Sequence, residues 1–223
     1  GLDLIPPETL ARITDADATL KGPITTPIGR GFSSVNVSLR QHFELYANVR
    51  PILSLPGTKA RYQDLDLIVV RENLEGLYSG QGHSLSEDGN RAELKSIITK
   101  AGSANIIRHA FETARKLSRK KVTLVHKANI MKSTSGLFLS TGREISQAYP
   151  DIAFEEMIVD NCAMQLVMNP ERFDIIVTTN LFGDILSDLC AGLIGGLGLA
   201  PGANLGHDHA IFEAVHGSAP DIA

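Results

Sequence analysis

The sequence predicts an α/β fold in which helices flank a mostly parallel sheet. Short β-branched runs alternate along the chain with longer segments that have helical spacing, as where the run 121–125 precedes the segment 134–148. Hydrophobic residues make up 43% of the 223 residues, which is enough for a substantial core. No apolar stretch reaches the roughly 18 residues that a transmembrane helix needs, so no membrane span is expected.

Caps, apolar spacing and turn residues predict the elements in chain order. Six segments are predicted to be helices: one that starts at Pro6-Pro7-Glu8 and continues over 9–13, one from Ser33 or Ser34 to about Tyr46, 97–117, 134–148, a short one after Asp160, and one after Asn180. Five apolar or β-branched runs are predicted to be strands: 47–55, 65–70, 121–125, 153–159 and 173–178. The stretch 21–31 is rich in Gly, Pro and Thr and predicts a loop, whereas the polar stretch 78–91 predicts a protruding loop or hairpin.

Charge and cysteine content exclude some classes of protein. The net charge is −4, which argues against a nucleic-acid-binding protein. Cys162 and Cys190 lie in apolar helical contexts, and we interpret them as reduced packing residues in a reducing compartment, either the bacterial cytoplasm or the mitochondrial matrix of a eukaryote. We expect the chain to be incomplete at both ends, because it begins at Gly1 and stops directly after a Gly-rich loop.

Two aspartates, Asp184 and Asp188, stand one turn apart in the helix predicted after Asn180. The apolar residues of this helix are predicted to face a core: Leu181, Phe182, Ile185, Leu186 and Leu189. Like charges at this spacing destabilise a helix slightly. In one interpretation the helix dipole favours Asp184 in the first turn while Asp188 is solvated; in the other a divalent cation holds both carboxylates. The stretch by itself favours the first interpretation.

Polar side chains follow four of the predicted strands, where ligands bind in open α/β sheets. These strand ends are Arg71-Glu72-Asn73, Lys127-Ala128-Asn129, Asp160-Asn161, and Asn180 followed by Asp184. Arginine binds carboxylates through two parallel hydrogen bonds, and Arg40, Arg50 and Arg71 therefore indicate an acidic substrate. Isolated surface ion pairs are a weaker explanation for Arg50 and Arg71, which lie beside apolar runs. A substrate whose oxygens also chelate Mg²⁺ or Mn²⁺ would explain the arginines and the aspartates together.

Six motifs make the chain resemble the β-decarboxylating dehydrogenases, which act on isocitrate, isopropylmalate, homoisocitrate, or tartrate and malate. The motifs are Tyr46-Ala-Asn-Val-Arg-Pro51, Val70-Arg-Glu-Asn73 with Tyr78, His126-Lys-Ala-Asn-Ile-Met131, Val159-Asp-Asn-Cys162, Asn180-Leu-Phe-Gly-Asp-Ile-Leu-Ser-Asp188, and Glu213-Ala-Val-His-Gly-Ser-Ala-Pro-Asp-Ile222. The resemblance covers essentially the whole chain. It implies a two-domain isocitrate/isopropylmalate dehydrogenase-like fold, with residues 1–45 and 196–223 in the larger coenzyme-binding domain and 46–195 in the smaller, dimer-forming domain. It also implies that the polar segment after Tyr78 is an arm between the two subunits of a dimer.

The same resemblance implies a role for each site residue. Tyr78 and Lys127 match the catalytic pair. The residues that match the substrate site are Ser34, Asn36, Arg40, Arg50 and Arg71. The residues that match the metal ligands are Asp160, Asp184 and Asp188. In this family Lys127 and Asp160 would reach the active site of the partner, so we expect a homodimer with shared active sites.

The segment from Phe32 to Arg40 predicts the substrate. Isopropylmalate enzymes carry an apolar group here, whereas Ser34 and Asn36 are polar and resemble the Ser-x-Asn with which isocitrate enzymes bind the third carboxylate. Unpaired and desolvated polar groups would discriminate against an apolar tail. We therefore expect isocitrate, which would be oxidised and decarboxylated to 2-oxoglutarate and CO₂. Homoisocitrate is the alternative, because a single methylene is a weak discriminator.

The coenzyme is predicted to be NAD, although no G-x-G-x-x-G sequence occurs. The resemblance implies a loop-built coenzyme site formed by Thr25, Glu213, His216, Gly217, Ser218, Ala219, Pro220, Asp221 and Ile222. Asp221 could accept the ribose 2′-OH of NAD, and its charge would repel a 2′-phosphate, while NADP-using relatives carry a lysine and a tyrosine at this place. A non-catalytic subunit of a hetero-oligomeric isocitrate dehydrogenase is the competing hypothesis, although such subunits tend to lose catalytic residues that this chain retains.

Overall fold

The structure is a computed structural model that describes residues 2–24 and 34–218. The α-helices in these ranges are α1 (Pro7–Asp15), α2 (Val35–His42), α3 (Lys100–Lys116), α4 (Thr134–Ser146), α5 (Val159–Met168) and α6 (Asn180–Leu193). The strands are β1 (Thr19–Lys21), β2 (Ala47–Leu53), β3 (Asp66–Glu72), β4 (Ser84–Leu85), β5 (Ala92–Glu93), β6 (Lys121–His126), β7 (Ala153–Ile158), β8 (Ile175–Thr178), β9 (Pro201–Leu205) and β10 (Ala210–Ala214). In these ranges no helix is long and apolar enough to cross a membrane.

One eight-stranded sheet organises the molecule, with the strand order β1-β10-β9-β2-β3-β8-β6-β7. Strands β3, β8, β6 and β7 are parallel neighbours, as is the pair β1 and β10, whereas the pairs that join β10 to β9, β9 to β2 and β2 to β3 are antiparallel. The predicted α/β fold with a mostly parallel sheet is confirmed. Because β2 pairs with β9, the sheet is continuous across the predicted boundary between segment 46–195 and segment 196–223.

Helices cover both faces of the sheet, since successive side chains of a strand point to opposite faces. Ile175 of β8 packs in a core with α3 and α4, and the next residue, Ile176, packs in a second core with α5 and α6. A third, smaller core joins α1 and α2 to Leu45 and to Ile211 of β10. Each core therefore holds one layer of helices against the sheet, and the site residues project at the strand ends between the layers.

Most predicted elements agree with the structure to within a few residues, and Ser34 is the N-cap of α2 as expected. Helix α2 ends at His42 rather than near Tyr46, because the chain turns at Glu44, whose φ of 49° is left-handed, and then enters β2. Strands β1, β9 and β10 were not predicted. Strand β9 starts with Pro201-Gly202, a pair that argues against a strand in isolation, and its pairing partners come from distant parts of the chain.

The polar segment after Tyr78 contains the predicted hairpin. Strands β4 and β5 form a separate two-stranded antiparallel sheet, and all four of their residues are exposed. An isolated hairpin of this length is marginally stable in water. That this hairpin is an arm between two subunits stays a prediction.

The apolar face predicted for α6 is partly wrong. Leu186 is fully buried, but Ile185 is 57% exposed, and neither Leu181 nor Phe182 belongs to the buried face. The buried face instead includes polar or small residues: Asn180, Gly183, Ser187 and Cys190. This face packs on the arginines of β2 and β3, so a helix that looks amphipathic by hydrophobicity is oriented by buried ion pairs.

Candidate active site

A polar cavity of about 190 Å³ lies where β2, β3 and β10 meet α2 and α6. The predicted site residues that line it are Ser34, Asn36, Arg40, Arg50, Arg71, Tyr78, Asp184, Glu213, His216 and Gly217. Lys21 of β1 also lines the cavity and was not predicted. Its position four residues before Thr25, a predicted coenzyme residue, is the one feature of the sequence that could have pointed to it. The structure thus brings together the three arginines predicted to bind substrate, one of the aspartates predicted to bind metal, and the tyrosine predicted to be catalytic.

Arg71, at the end of β3, is held beneath α6 and is only 1% exposed. Its Nε and one terminal nitrogen donate to Asn180 Oδ1 at 3.0 and 2.7 Å, and its other terminal nitrogen forms an ion pair with Asp184. Gly183 is required here, because a Cβ at that residue would lie 2.5 Å from Arg71 Cγ. Burial lowers the pKa of Arg71 to about 10, so the guanidinium stays charged at neutral pH.

Arg50 of β2 reaches the same helix one turn further along. Its guanidinium donates to Ser187 Oγ at 2.5 Å and to Asp188 Oδ1 at 3.1 Å, and its second terminal nitrogen lies 3.5 Å from Asp184 Oδ1. Its Nε donates to Asn48 Oδ1 at 2.8 Å. Burial lowers the pKa of Arg50, and the two aspartates oppose that effect. The helix that carries Asp184 and Asp188 is therefore anchored to two adjacent strands by charge-assisted hydrogen bonds.

Asp184 contacts three other residues that line the cavity. Besides the two arginines, it accepts a hydrogen bond from the Tyr78 hydroxyl, which lies 2.5 Å from Oδ2. Burial raises the pKa of Asp184, but the charge of Arg71 and the Tyr78 hydrogen bond outweigh it, and the net pKa is below its usual value. For Asp188 burial outweighs the attraction of Arg50, and the net pKa is raised. Both aspartates are thus paired with arginine, in contrast to the first interpretation of this helix, in which Asp188 is simply solvated.

Tyr78 sits on the short 3₁₀ helix Gly76–Ser79, which brings its ring against the cavity. The Arg71 guanidinium lies 5.1 Å from the centre of the ring. Burial and the hydrogen bond to Asp184 both raise the pKa of Tyr78. The phenol therefore keeps its proton well above neutral pH and is suited to act as a proton donor.

Glu213, predicted to bind the coenzyme, is engaged by protein groups in this structure. Arg40 donates to Oε1 at 3.1 Å, Lys21 Nζ lies 2.9 Å from Oε2, and Asn204 Nδ2 donates to Oε1 at 2.8 Å. Burial raises the pKa of Glu213, but Arg40 and the hydrogen bonds bring the net pKa below its usual value. Glu213 is therefore an ionised carboxylate that holds Arg40 in position. The sequence analysis did not identify Asn204, because no motif around it indicates a contact with Glu213.

Two buried polar atoms beside the cavity lack a hydrogen-bond partner among residues 2–24 and 34–218: Asn36 Oδ1 and Arg40 Nε. Both residues lie on α2 and line the cavity. Burial without a partner costs free energy, and buried polar groups are normally hydrogen-bonded. A ligand that accepts from Arg40 Nε and donates to Asn36 Oδ1 would complete both.

Lys127 and Asp160 lie outside this cavity. Lys127 Nζ donates to Asp160 Oδ1 at 2.6 Å, and the Asp160 side chain is 68% exposed. In the part of the chain that is described, no three His, Cys, Asp or Glu side chains are close enough to hold a metal ion. Asp184 and Asp188 supply two carboxylates of the kind that Mg²⁺ or Mn²⁺ prefers, so their donor chemistry fits such a cation.

Parts of the predicted coenzyme site lie outside the described residues: Thr25, Ala219, Pro220, Asp221 and Ile222. His216 and Gly217 line the substrate cavity directly after β10. Ser218 is described and exposed. The loop that follows β10 therefore begins at the cavity.

A second, apolar cavity of about 690 Å³ lies beside α6. Leu181 and Phe182 line it together with Ile130 and Met131, and Ile130 is 70% exposed. Helix α5, which packs against α6, adds further exposed apolar side chains: Met164, Val167 and Met168. Exposed apolar residues concentrated on two packed helices are typical of a protein–protein interface.

Glu72 follows Arg71 in β3 but is not part of the cavity. It is 3% exposed and accepts hydrogen bonds from the backbone N–H groups of Leu74 at 2.8 Å and Glu75 at 2.9 Å. Burial outweighs these bonds and raises the pKa of Glu72 to about 7, from an ordinary 4.5. These bonds fix the chain that leads to the Tyr78 helix.

The raised pKa of Glu72 predicts a pH-dependent stability. Between pH 4.5 and about 7 the unfolded chain releases a proton that folded Glu72 retains, so stability should fall as pH rises through this window. The free energy of unfolding, from urea titrations, should decrease by about 3 kcal/mol across the window in the wild type relative to Glu72→Gln. Parallel pH profiles for the two proteins would show that Glu72 titrates normally.

The sequence matches the profile of the isocitrate/isopropylmalate dehydrogenase family over residues 2–223. Among curated relatives, it is 52% identical to the mitochondrial catalytic subunit 5 of NAD isocitrate dehydrogenase from Arabidopsis thaliana, over 97% of this chain and 58% of that protein. It is also 52% identical to the chloroplastic 3-isopropylmalate dehydrogenase of Solanum tuberosum, over 97% of this chain and 60% of that protein. A regulatory subunit of the mitochondrial NAD isocitrate dehydrogenase from Dictyostelium discoideum is 54% identical, over 97% of this chain and 61% of that protein.

A solved structure agrees with the sequence relatives. The isocitrate dehydrogenase of Methylococcus capsulatus superposes with a TM-score of 0.95 at 61% identity, over 98% of this chain and 65% of that one. The chain thus spans about three fifths of the length of the curated relatives it matches. The family profile and the structural superposition both extend over nearly every residue of the chain. The chain belongs to the isocitrate/isopropylmalate dehydrogenase family.

Proposed function

We propose that the full-length protein is an NAD-dependent isocitrate dehydrogenase that converts isocitrate to 2-oxoglutarate and CO₂ with the help of Mg²⁺ or Mn²⁺. The observation that carries this proposal is a single cavity in which three buried arginines meet Asp184 and Tyr78. Relatives named as NAD isocitrate dehydrogenases support the substrate and the coenzyme.

The charge of the cavity suits a tricarboxylic acid. Arg40, Arg50 and Arg71 are each at most 8% exposed. If the aspartates bound a cation, a neutral ligand would leave the charges of Arg50 and Arg71 without a counter-charge. Asn36 and Ser34 stand at the end of the cavity formed by α2, where the third carboxylate of isocitrate would lie. The amide nitrogen of Asn36 and the hydroxyl of Ser34 could donate to that carboxylate, whereas an isopropyl group at this end would desolvate both side chains without giving either a hydrogen bond.

The residues of this chain divide the chemistry among them. A cation bound by Asp184 and Asp188, with Asp160 of a second copy, would lower the pKa of the C2 hydroxyl and stabilise the developing enolate. The arginines would orient the carboxylates and so aim the C2 hydrogen at the coenzyme, and bound NAD would supply the hydride acceptor. Lys127 of the second copy accepts the hydroxyl proton, and Tyr78, which is protonated at neutral pH, donates a proton to C3 after CO₂ leaves.

The active form is proposed to be a homodimer with shared sites. Lys127 and Asp160 do not line the cavity of their own chain, and apolar side chains of α5 and α6 are exposed. A second copy packed against that surface would cover Ile185 and Met164 and could present its Lys127–Asp160 pair to this cavity. We propose the mitochondrial matrix as the compartment if the source is a eukaryote, as for the mitochondrial relatives, and the cytoplasm if it is a bacterium.

Two alternatives rest on specific relatives. The 52% identity to a 3-isopropylmalate dehydrogenase makes isopropylmalate a candidate substrate, and homoisocitrate remains the nearest chemical alternative to isocitrate. The 54% identity to a regulatory subunit makes a non-catalytic role in a hetero-oligomer the second candidate function. The complete set Tyr78, Lys127, Asp160, Asp184 and Asp188 favours catalysis over that role.

A substrate panel tests the proposal. Purified full-length protein is assayed with isocitrate, homoisocitrate and isopropylmalate, each with NAD or NADP, in the presence and absence of Mg²⁺. We expect turnover with isocitrate and NAD only when the metal is added, and a kcat/KM for isocitrate at least about 10³-fold above that for isopropylmalate. Preference for isopropylmalate would contradict the substrate assignment, and failure to turn over any substrate alone would favour the regulatory role.

A further inference from the structure

An unbroken chain of buried hydrogen bonds joins two of the substrate arginines. Arg50 Nε donates to Asn48 Oδ1 at 2.8 Å, and Asn48 Nδ2 donates to Asn204 Oδ1 at 2.8 Å. Asn204 Nδ2 then donates to Glu213 Oε1 at 2.8 Å, which also accepts from Arg40 at 3.1 Å. All five side chains are at most 9% exposed.

The charged ends fix the direction of every bond in this chain. Arg50 can only donate, so Asn48 must turn its oxygen to Arg50 and its amide nitrogen to Asn204. Asn204 must then turn its oxygen to Asn48, which leaves its nitrogen for the ionised Glu213, a group that can only accept. A flipped amide at either asparagine would place two acceptors or two donors face to face. The network therefore has one satisfied arrangement.

The two arginines need such a connection because they come from different elements. Arg40 lies on α2, whereas Arg50 lies on β2, and the pairing of β2 with β9 covers only three residue pairs, 47–49 with 203–205. Asn48 and Asn204 are directly opposite each other in that short ladder. Loss of the side-chain bond would leave the distance between the guanidinium groups to a short ladder and a helix end.

We propose that Asn48 and Asn204 are positioning residues that hold Arg40 and Arg50 at the separation required by two carboxylates of one substrate. They touch no substrate themselves. This inference rests on the proposed function, because it assumes that both arginines bind the same acidic ligand. Displacement of one arginine by about 1 Å would weaken bidentate recognition strongly.

The test compares three alanine variants of the full-length protein. Asn204→Ala and Asn48→Ala each interrupt the hydrogen-bond path between the two arginines, at different residues. If one variant does not fold, the other still tests the proposal. Asn73→Ala is the matched control: Asn73 is 4% exposed and donates to the same Asn204 Oδ1 at 3.0 Å and to the Leu45 carbonyl, but it lies off the path between the arginines. All three remove one buried amide, so they should lower thermal stability by similar amounts.

The first readout is the affinity for isocitrate, measured as Kd by calorimetric titration in the presence of Mg²⁺ and as KM by steady-state kinetics. We expect Kd and KM for isocitrate to rise about 10- to 100-fold in Asn204→Ala and Asn48→Ala, with KM for NAD unchanged, and to rise less than about threefold in Asn73→Ala. Equal effects in all three variants would reduce the network to a structural role and overturn the inference.

Solvent exchange of the Arg50 Nε–H, followed by nitrogen-15 NMR, gives a second readout that needs no substrate. Exchange should accelerate in Asn204→Ala and Asn48→Ala and stay slow in Asn73→Ala. Unchanged exchange in the two path variants would overturn the positioning role. If the wild type does not bind isocitrate at all, the proposed function fails, and the role of the network in substrate binding fails with it. If the wild type binds isocitrate and the two path variants bind it equally well, only the positioning role of Asn48 and Asn204 is refuted.

Discussion

Replacement of Asp184 by asparagine should lower kcat/KM for isocitrate by at least about 10³-fold. Asp184 is the one carboxylate that contacts Arg50, Arg71 and Tyr78 together among the described residues, and it is a proposed ligand of the cation. Asparagine has nearly the same shape but no charge, so it would bind the cation weakly and neutralise neither arginine. Steady-state kinetics at saturating Mg²⁺ measure the loss, and metal affinity is measured separately by titration.

The same variant should be only moderately destabilised, by about 1 to 3 kcal/mol, since Arg71 loses a charged hydrogen-bond partner but keeps Asn180. Asp66→Asn is a matched control, because Asp66 forms an ion pair with Arg119 at the opposite end of β3. It should keep wild-type kinetics. If Asp184→Asn retained activity within about tenfold of the wild type, Asp184 could not hold a cation that is essential to the reaction.

Hybrid dimers should recover activity that neither parent has. Lys127→Ala and Asp184→Asn are each expected to be nearly inactive as homodimers. After the two proteins are unfolded together and refolded, half of the dimers are hybrids in which one site carries both substitutions and the other carries neither. The mixture should therefore show about a quarter of wild-type activity, because one site in two is intact in half of the dimers.

The control for this experiment combines two substitutions from one half of the site. A mixture of Asp184→Asn and Asp188→Asn should stay inactive, since each hybrid dimer then has one damaged carboxylate in each site. Recovery in this control would show that the assay measures refolding rather than complementation. Failure of Lys127→Ala and Asp184→Asn to recover would contradict shared sites and would require Lys127 to act within its own chain.

Much of this architecture could be predicted from local pattern. Three strands of the parallel half, β3, β6 and β8, are rich in β-branched residues, β8 is buried along its whole length, and helices of clear periodicity lie between the strands. Such signals are carried by neighbouring residues and need no knowledge of the fold. The N-cap at Ser34 is equally local, and so is the spacing of Asp184 and Asp188. The motifs around these residues also identified the family.

Other features depend on contacts between distant residues. Strands β1, β9 and β10 are short, and β9 begins with Pro201-Gly202, so their sequences resemble loops until pairing partners are known. Ile185 was predicted to be buried because hydrophobic periodicity cannot detect a helix face that packs on arginines. Lys127 and Asp160 were predicted to complete a second chain's site, and one chain does not test that prediction.

The amino-acid sequence by itself determined the class of fold, the family and the residue types of the site, because these depend on periodicity and on motifs of consecutive residues. Only the tertiary structure decided which charges pair. It joined Arg50 to Arg40 through Asn48, Asn204 and Glu213, residues separated by up to 173 positions. Hydrogen bonds and ion pairs act over a few ångströms, so the packing of the strands, and not their spacing in the chain, sets the electrostatics of the cavity.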